Sequence, residues 1–119
     1  MLIDIFDKKS IRGDEALHKI EASGDGVGTT SINFHEVAYG VLKRSRALEE
    51  FLTFPIMPYT REDAVLSSRI EVELEKKGTL VRRADTMIAS VAISTACPFF
   101  TFDRKHFEPI AAFGLKLFE

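Results

Sequence analysis

Apolar and polar positions fall into blocks along the chain, and the blocks change period. "GDEALHKIEASGDG" carries Ala16, Leu17 and Ile20 at helical spacing, acids in its first turn and glycines at its end, the pattern of a short helix. The β-branched "VGTTSI" is of strand type, and "NFHEVAYGVLKRSRALEEFL" is helical with a break near Lys43 to Ser45. "FPIMPYT" reads as extended, because each proline biases its predecessor away from the helical region. Thr60 is placed to cap "REDAVLSSRIEVELEKKG", where Ala64, Val65, Ile70 and Leu74 define one face and Gly78 closes the end. In "RADTMIASVAISTA", Ala84, Met87, Ile88, Val91, Ala92 and Thr95 share one helical stripe. "PFFTF" is a short strand of the buried type, "DRKHFEPI" a turn or single helical turn, and "GLKLFE" a final strand.

Strands alternating with helices predict an α/β fold with a mostly parallel sheet and helices on both faces. The 119 residues suffice for one domain, and no repeat, linker or low-complexity stretch divides them. In a parallel sheet, ligands gather beyond the carboxyl ends of the strands, where helices begin. Three acids occupy such positions: Glu36 early in the helix after "TTSI", Asp85 opening the "DTMIAS" helix, and Asp103 directly after "FFTF".

Each acid alone also fits a plainer role. Asp85 and Asp103 sit where a carboxylate caps helix amides and opposes the macrodipole. Glu36 fits a solvated helix face, although Phe34, Val37, Ala38 and Val41 suggest that its helix is largely buried. Gathered at one rim, three carboxylates would repel one another unless a cation lay between them. Mg²⁺ or Mn²⁺ takes oxygen ligands and lowers the pKa of a bound water enough for it to attack a phosphodiester.

Composition narrows the alternatives. A 45% hydrophobic and 29% charged chain is ordinary globular protein. Its 16 Lys+Arg against 18 Asp+Glu leave a net charge of −2, so overall charge does not announce a nucleic-acid partner. Locally, Arg82, Arg83, Arg104 and Lys105 flank the two aspartates, either as solvated surface or as contacts to RNA phosphates. The single Cys97 excludes an internal disulfide and a cysteine zinc site, which fits a reducing compartment. No run reaches the roughly 18 apolar residues of a membrane span. No basic-then-apolar leader opens the chain, so the expected location is cytoplasmic.

Other motifs are weaker. "GDGVG" precedes a strand, whereas a phosphate loop follows one. "HEVAY" lacks the second histidine of a zinc-protease helix, since Tyr39 stands four residues after His35. His18, His35 and His106 read as surface or packing residues, Cys97 as a small core residue, and no G-x-S-x-G elbow is present.

Three blocks, "TTSINFHEVAYGVLK", "KKGTLVRRADTMIASVAI" and "PFFTFDRKHFEPIAAFGLKL", resemble successive segments of the PIN-domain family, in particular the VapC-like toxins of toxin–antitoxin pairs. The likeness covers nearly the whole chain, and its specificity comes from the ensemble of blocks. It implies a three-layer α/β/α domain over residues 1–119 with Mg²⁺- or Mn²⁺-dependent ribonuclease activity. It also implies a homodimer and a small antitoxin partner that delivers an Arg or Lys over the acidic rim. Carried over, Glu36, Asp85 and Asp103 match three of the family's four acids. Thr101 matches the hydroxyl residue before the last aspartate, and Thr30, Ser31 and Asn33 match the polar lead-in to the glutamate.

The fourth acid concerns the opening "MLIDIFDKKS". In one register it matches the segment after the family's first strand, which places that strand and its metal-binding aspartate before Met1. In a shifted register "MLI" is the first strand and Asp4 takes the metal role, without the usual Thr or Ser after it. The first register leaves two readings: a truncated or misassigned start, with the protein several residues longer, or a non-enzyme, an impaired PIN module that binds an antitoxin or RNA without cleaving. A phosphoaspartate receiver also fits the α/β pattern, but neither its early acid doublet nor its late lysine is convincing here.

Overall fold

The computed structural model describes residues 28–52, 54–101 and 103–118; the helix expected over "GDEALHKIEASGDG", and Asp4 with its segment, lie outside them. The chain divides after Met57 into two units, each described in turn.

In the first unit, β1 (Thr29–Thr30) runs into α1 (Ser31–Lys43), followed by α2 (Glu49–Leu52) and β2 (Ile56–Met57). β1 and β2 pair in parallel, Thr29 opposite Ile56 and Thr30 opposite Met57. Gly28 permits this approach: a Cβ there would stand 3.2 Å from the Pro55 carbonyl oxygen. The strand expected over "VGTTSI" is shorter than its sequence suggests. The Thr30 hydroxyl accepts the Asn33 amide at 3.0 Å, so the chain turns helical at Ser31 and takes Ser31 and Ile32 with it. Val37 and Val41 are buried, with Phe34, Leu48 and Phe54 packed against them. The break after Lys43 stands as the pattern indicates. Ser45 takes φ 55°, and Arg46 N–H and Ser45 N–H bond back to the carbonyls of Val41 and Leu42, a Schellman ending.

The second unit contains α3 (Arg61–Lys76), α4 (Arg83–Ser94) and α5 (Arg104–Ala111). Thr60 caps α3 as expected, in a reciprocal box: its hydroxyl accepts the Asp63 amide at 3.1 Å while its own amide donates to Asp63 Oδ2 at 3.0 Å. Gly78, at φ 72°, closes the helix: its amide bonds back to the Glu75 carbonyl and the Thr79 amide to that of Leu74. The buried face of α3 differs from the apolar stripe in the sequence. It consists of Asp63, Ser67, Ile70 and Leu74, while Val65 is exposed. Asp63 lies on this face because Ser94 at the end of α4 donates to its carboxylate, and Arg83 at the start of α4 pairs with Glu71 at 3.1 Å. These two links fix α3 and α4 as antiparallel neighbours.

Ile88, Val91 and Ala92 of the expected α4 stripe are buried, but so are Asp85, Thr86, Ala89 and Ser90. Small side chains and hydroxyls that bond back into the helix let it be enclosed on more than one face: Thr86 Oγ1 donates to the Arg83 carbonyl and Ser90 Oγ to that of Met87. Thr95 leaves the stripe, since it is the exposed C-cap residue.

The strands expected over "PFFTF" and "GLKLFE" reduce to one parallel bridge, Phe99 with Leu117. Phe99 N–H donates to the Lys116 carbonyl at 2.7 Å, and the Phe99 carbonyl accepts from Phe118 N–H at 2.8 Å. Two residues beyond Phe99, the Thr101 hydroxyl takes the Asp103 amide and turns the chain toward α5. In turn, "DRKHFEPI" is more than a single turn. Phe107 and Ile110, three apart, are both buried and hold the eight-residue α5 together despite Pro109, which supplies no amide. The Phe99 and Phe107 rings meet with centroids 4.7 Å apart.

Candidate active site

Asp85 is the most enclosed of the three candidate acids. It lies in the first turn of α4, where the unpaired amides and macrodipole favour an anion, and its side chain is 8% exposed. It does not cap the helix: the N-cap residue is Arg82, and no side chain caps there. Instead Arg82 Nε donates to Asp85 Oδ2 at 2.9 Å, while the Asp85 amide bonds to the Arg82 carbonyl at 3.0 Å. Among the described residues, Asp85 Oδ1 accepts from no group. A buried carboxylate with one oxygen uncommitted is a donor of the right kind for a hard cation.

Asp103 occupies the N-cap position of α5 without capping it. Its backbone, not its carboxylate, is engaged: its amide is held by Thr101 Oγ1 at 2.9 Å and its carbonyl accepts the His106 amide at 3.0 Å. The carboxylate is exposed, and His106 Nδ1 stands 4.0 Å from Oδ1, beyond hydrogen-bond reach. Thr101 thus anchors the turn that presents Asp103, which gives its hydroxyl a definite task.

Glu36 belongs to the first unit and is exposed on α1, so the buried setting suggested by its apolar neighbours does not extend to it. Asn33, one turn earlier, is buried, and its amide completes the Thr30 cap. Ser31 is half-buried in the first turn of the same helix. Thr29 Oγ1 is buried without a partner among the described residues.

The four basic candidates divide by what already holds them. Arg82 is paired with Asp85 and Arg83 with Glu71. Arg104 Nη1 donates to the Phe118 carbonyl at 3.1 Å, and Lys105 is exposed. Among the described residues, no three of His, Cys, Asp and Glu form a group ready to hold a metal. The donors on offer at Asp85 and Asp103 are carboxylate oxygens, the hard type that suits Mg²⁺ or Mn²⁺ better than zinc or copper. Two features carry no warning in the residue pattern: the burial of Asp63 and its bond to Ser94. The Arg82–Asp85 pair, by contrast, stands at the i,i+3 spacing that brings side chains together.

A PIN-domain model matches residues 1–112, and the chain belongs to the PIN-domain family. Its fold is accordingly the parallel sheet between helix layers, α/β/α, of that family. The chain is 31% identical over 122 residues to "Ribonuclease VapC1" of Methanocaldococcus jannaschii, an alignment covering 100% of this chain and 82% of the relative. Among solved structures, it is similar to VapBC2 of Rickettsia felis bound to a DNA fragment from its promoter. That match has a TM-score of 0.76 and 26% identity over 98% of this chain and 90% of the other. It is also similar to VapBC-5 of Mycobacterium tuberculosis, a member of the VapBC family of toxin–antitoxin systems. There the TM-score is 0.60 with 30% identity, over 76% of each chain. No helix among the described residues is long and apolar enough to cross a membrane.

Proposed function

We propose that this chain is an endoribonuclease dependent on Mg²⁺ or Mn²⁺, the toxin of a toxin–antitoxin pair that cleaves RNA phosphodiesters. The observation that carries the reading is Asp85: a buried carboxylate with one oxygen uncommitted among the described residues, in the first turn of a helix within the segment that the PIN-domain model matches. Similarity over the whole of this chain to "Ribonuclease VapC1", and over 98% and 76% of it to VapBC structures, supports the substrate class and an antitoxin partner.

In this reading Asp85, Asp103 and Glu36 hold the cation. When bound, it would neutralise their charges and make a water nucleophilic enough to attack phosphorus in line. The residues of the chain have separate tasks. Asp85 contributes Oδ1 from a rigid helix start, and Thr101 fixes the turn that presents Asp103. Lys105 and the guanidinium groups of Arg82, Arg83 and Arg104 lie close in sequence to the two aspartates, where they can meet RNA phosphates. The protein works in the cytoplasm as a homodimer, held inactive by an antitoxin segment that brings a cationic side chain to the acids.

The test is cleavage of a mixed RNA pool with Mg²⁺ or Mn²⁺, with and without chelator, comparing wild type with Asp85→Asn and Asp103→Asn. Wild-type cleavage that chelator and either substitution abolish supports the reading. Equal rates in the mutants would sink it, and a folded wild type that binds RNA without cutting would establish the non-cleaving module instead.

A further inference from the structure

We infer that Arg82 is a built-in counter-ion of Asp85 that competes with the divalent cation for this carboxylate, so that cation binding and the Arg82 pair weaken one another. The inference rests on Asp85 being a cation ligand.

A carboxylate as enclosed as Asp85 needs a compensating charge, because a buried unpaired anion is costly. Among the described residues Arg82 is the cation that supplies it, with Nε 2.9 Å from Oδ2. Neighbouring Arg83 is turned to Glu71 and held there at 3.1 and 3.3 Å. The Arg82 pair is local: the partners stand at i,i+3, and the Asp85 amide is bonded to the Arg82 carbonyl, so the guanidinium returns to the same oxygen whenever nothing displaces it.

The two partners differ sharply in exposure. The Arg82 side chain is 62% exposed and that of Asp85 8%. Arg82 can therefore swing into solvent with little loss of packing, whereas Asp85 cannot follow it. A divalent cation on Asp85 replaces the charge that Arg82 provides and repels the guanidinium. Linkage then requires the converse: whatever the cation does to the Arg82 pair, the pair does to cation affinity. Because the arginine is largely solvated, the effect is modest, on the order of fivefold in affinity. Arg82 is thus a positioning residue for the apo carboxylate: it holds Oδ2 while Oδ1 stays open.

The experiment measures Mn²⁺ affinity of the full chain by electron paramagnetic resonance of the free ion, for wild type, Arg82→Gln and Arg82→Lys, with circular dichroism confirming that each is folded. In parallel, Mg²⁺ is titrated while the Arg Nε–Hε resonance that is absent from Arg82→Gln is followed. The expected result is Mn²⁺ binding roughly fivefold tighter in Arg82→Gln, partial recovery of the wild-type value in Arg82→Lys, and a resonance that shifts and exchanges faster as Mg²⁺ binds. Equal or weaker Mn²⁺ binding in Arg82→Gln, or a resonance unmoved at saturating Mg²⁺, overturns the inference while leaving the ribonuclease reading intact. Absence of Mn²⁺ binding in both wild type and Arg82→Gln overturns both.

Discussion

Ser94 Oγ donates to Asp63 Oδ1 at 2.5 Å, joining the last residue of α4 to the first turn of α3 across 31 residues of sequence. The Thr60 amide holds the other carboxylate oxygen, so a single buried acid closes a helix start and pins a second helix against it. Burial works to raise the Asp63 carboxyl, but the bonds from Ser94 and from the Thr60 backbone and side chain together outweigh it, leaving the group below its ordinary value of 3.8.

A depressed folded-state pKa means that Asp63 stabilises the fold fully above its unfolded value. That contribution is lost as pH falls through the folded one. Denaturant unfolding of wild type and Asp63→Asn should therefore show a gap that is constant near neutrality and shrinks below about pH 4. Ser94→Ala should cost about 1.5–3 kcal/mol at pH 7, the range for a hydrogen bond to a charged group. A gap that widens on acidification would contradict the assignment.

Helix ends offer a second comparison. Gly78 and Ala96 both occupy the left-handed position after a helix, at φ 72° and 57°, and Cys97 N–H bonds to the Ala92 carbonyl as Thr79 N–H does to that of Leu74. Only glycine takes this conformation without steric cost. Gly78→Ala should destabilise, and Ala96→Gly stabilise, each by up to about 1 kcal/mol in chemical denaturation.

The buried face of α3 can be tested by truncation. Ile70 is fully enclosed and Val65 is 47% exposed, although both belong to the apolar stripe of the sequence. Ile70→Ala should cost about 2–5 kcal/mol. Val65→Ala should stay within about 0.5 kcal/mol. Similar losses at both positions would mean that Val65 is covered by a partner in solution.

Thr101 provides a test of how Asp103 is presented. Thr101→Val keeps the shape but removes the acceptor of the Asp103 amide, and should lower RNA cleavage several-fold while leaving RNA affinity unchanged. Thr101→Ser restores the acceptor and should restore the rate. An unchanged rate in Thr101→Val, or a loss in Thr101→Ser equal to that in Thr101→Val, would overturn this role of the hydroxyl.

Features of this chain that depend on near neighbours were readable from residue order. Thr60 with Asp63, Gly78 after α3, the break near Lys43 to Ser45 and the Arg82–Asp85 spacing each involve side chains within one or two turns, where helix geometry alone brings the partners together. The places of Asp85 and Asp103 at helix starts were readable for the same reason. Contacts between distant segments were not. Val65 and Ile70, five positions apart, lie about 140° apart around a helix of about 3.6 residues per turn, so helix geometry alone separates them; that the covered face also takes in Asp63 and Ser67 is decided by the position of α4. Asp63 carries no sign of its burial in the order of residues, and the bond from Ser94 makes that burial tolerable. The strands near Phe99 and Leu117 shrink to one bridge, because strand length depends on how far two remote segments run side by side, while β-propensity acts one residue at a time.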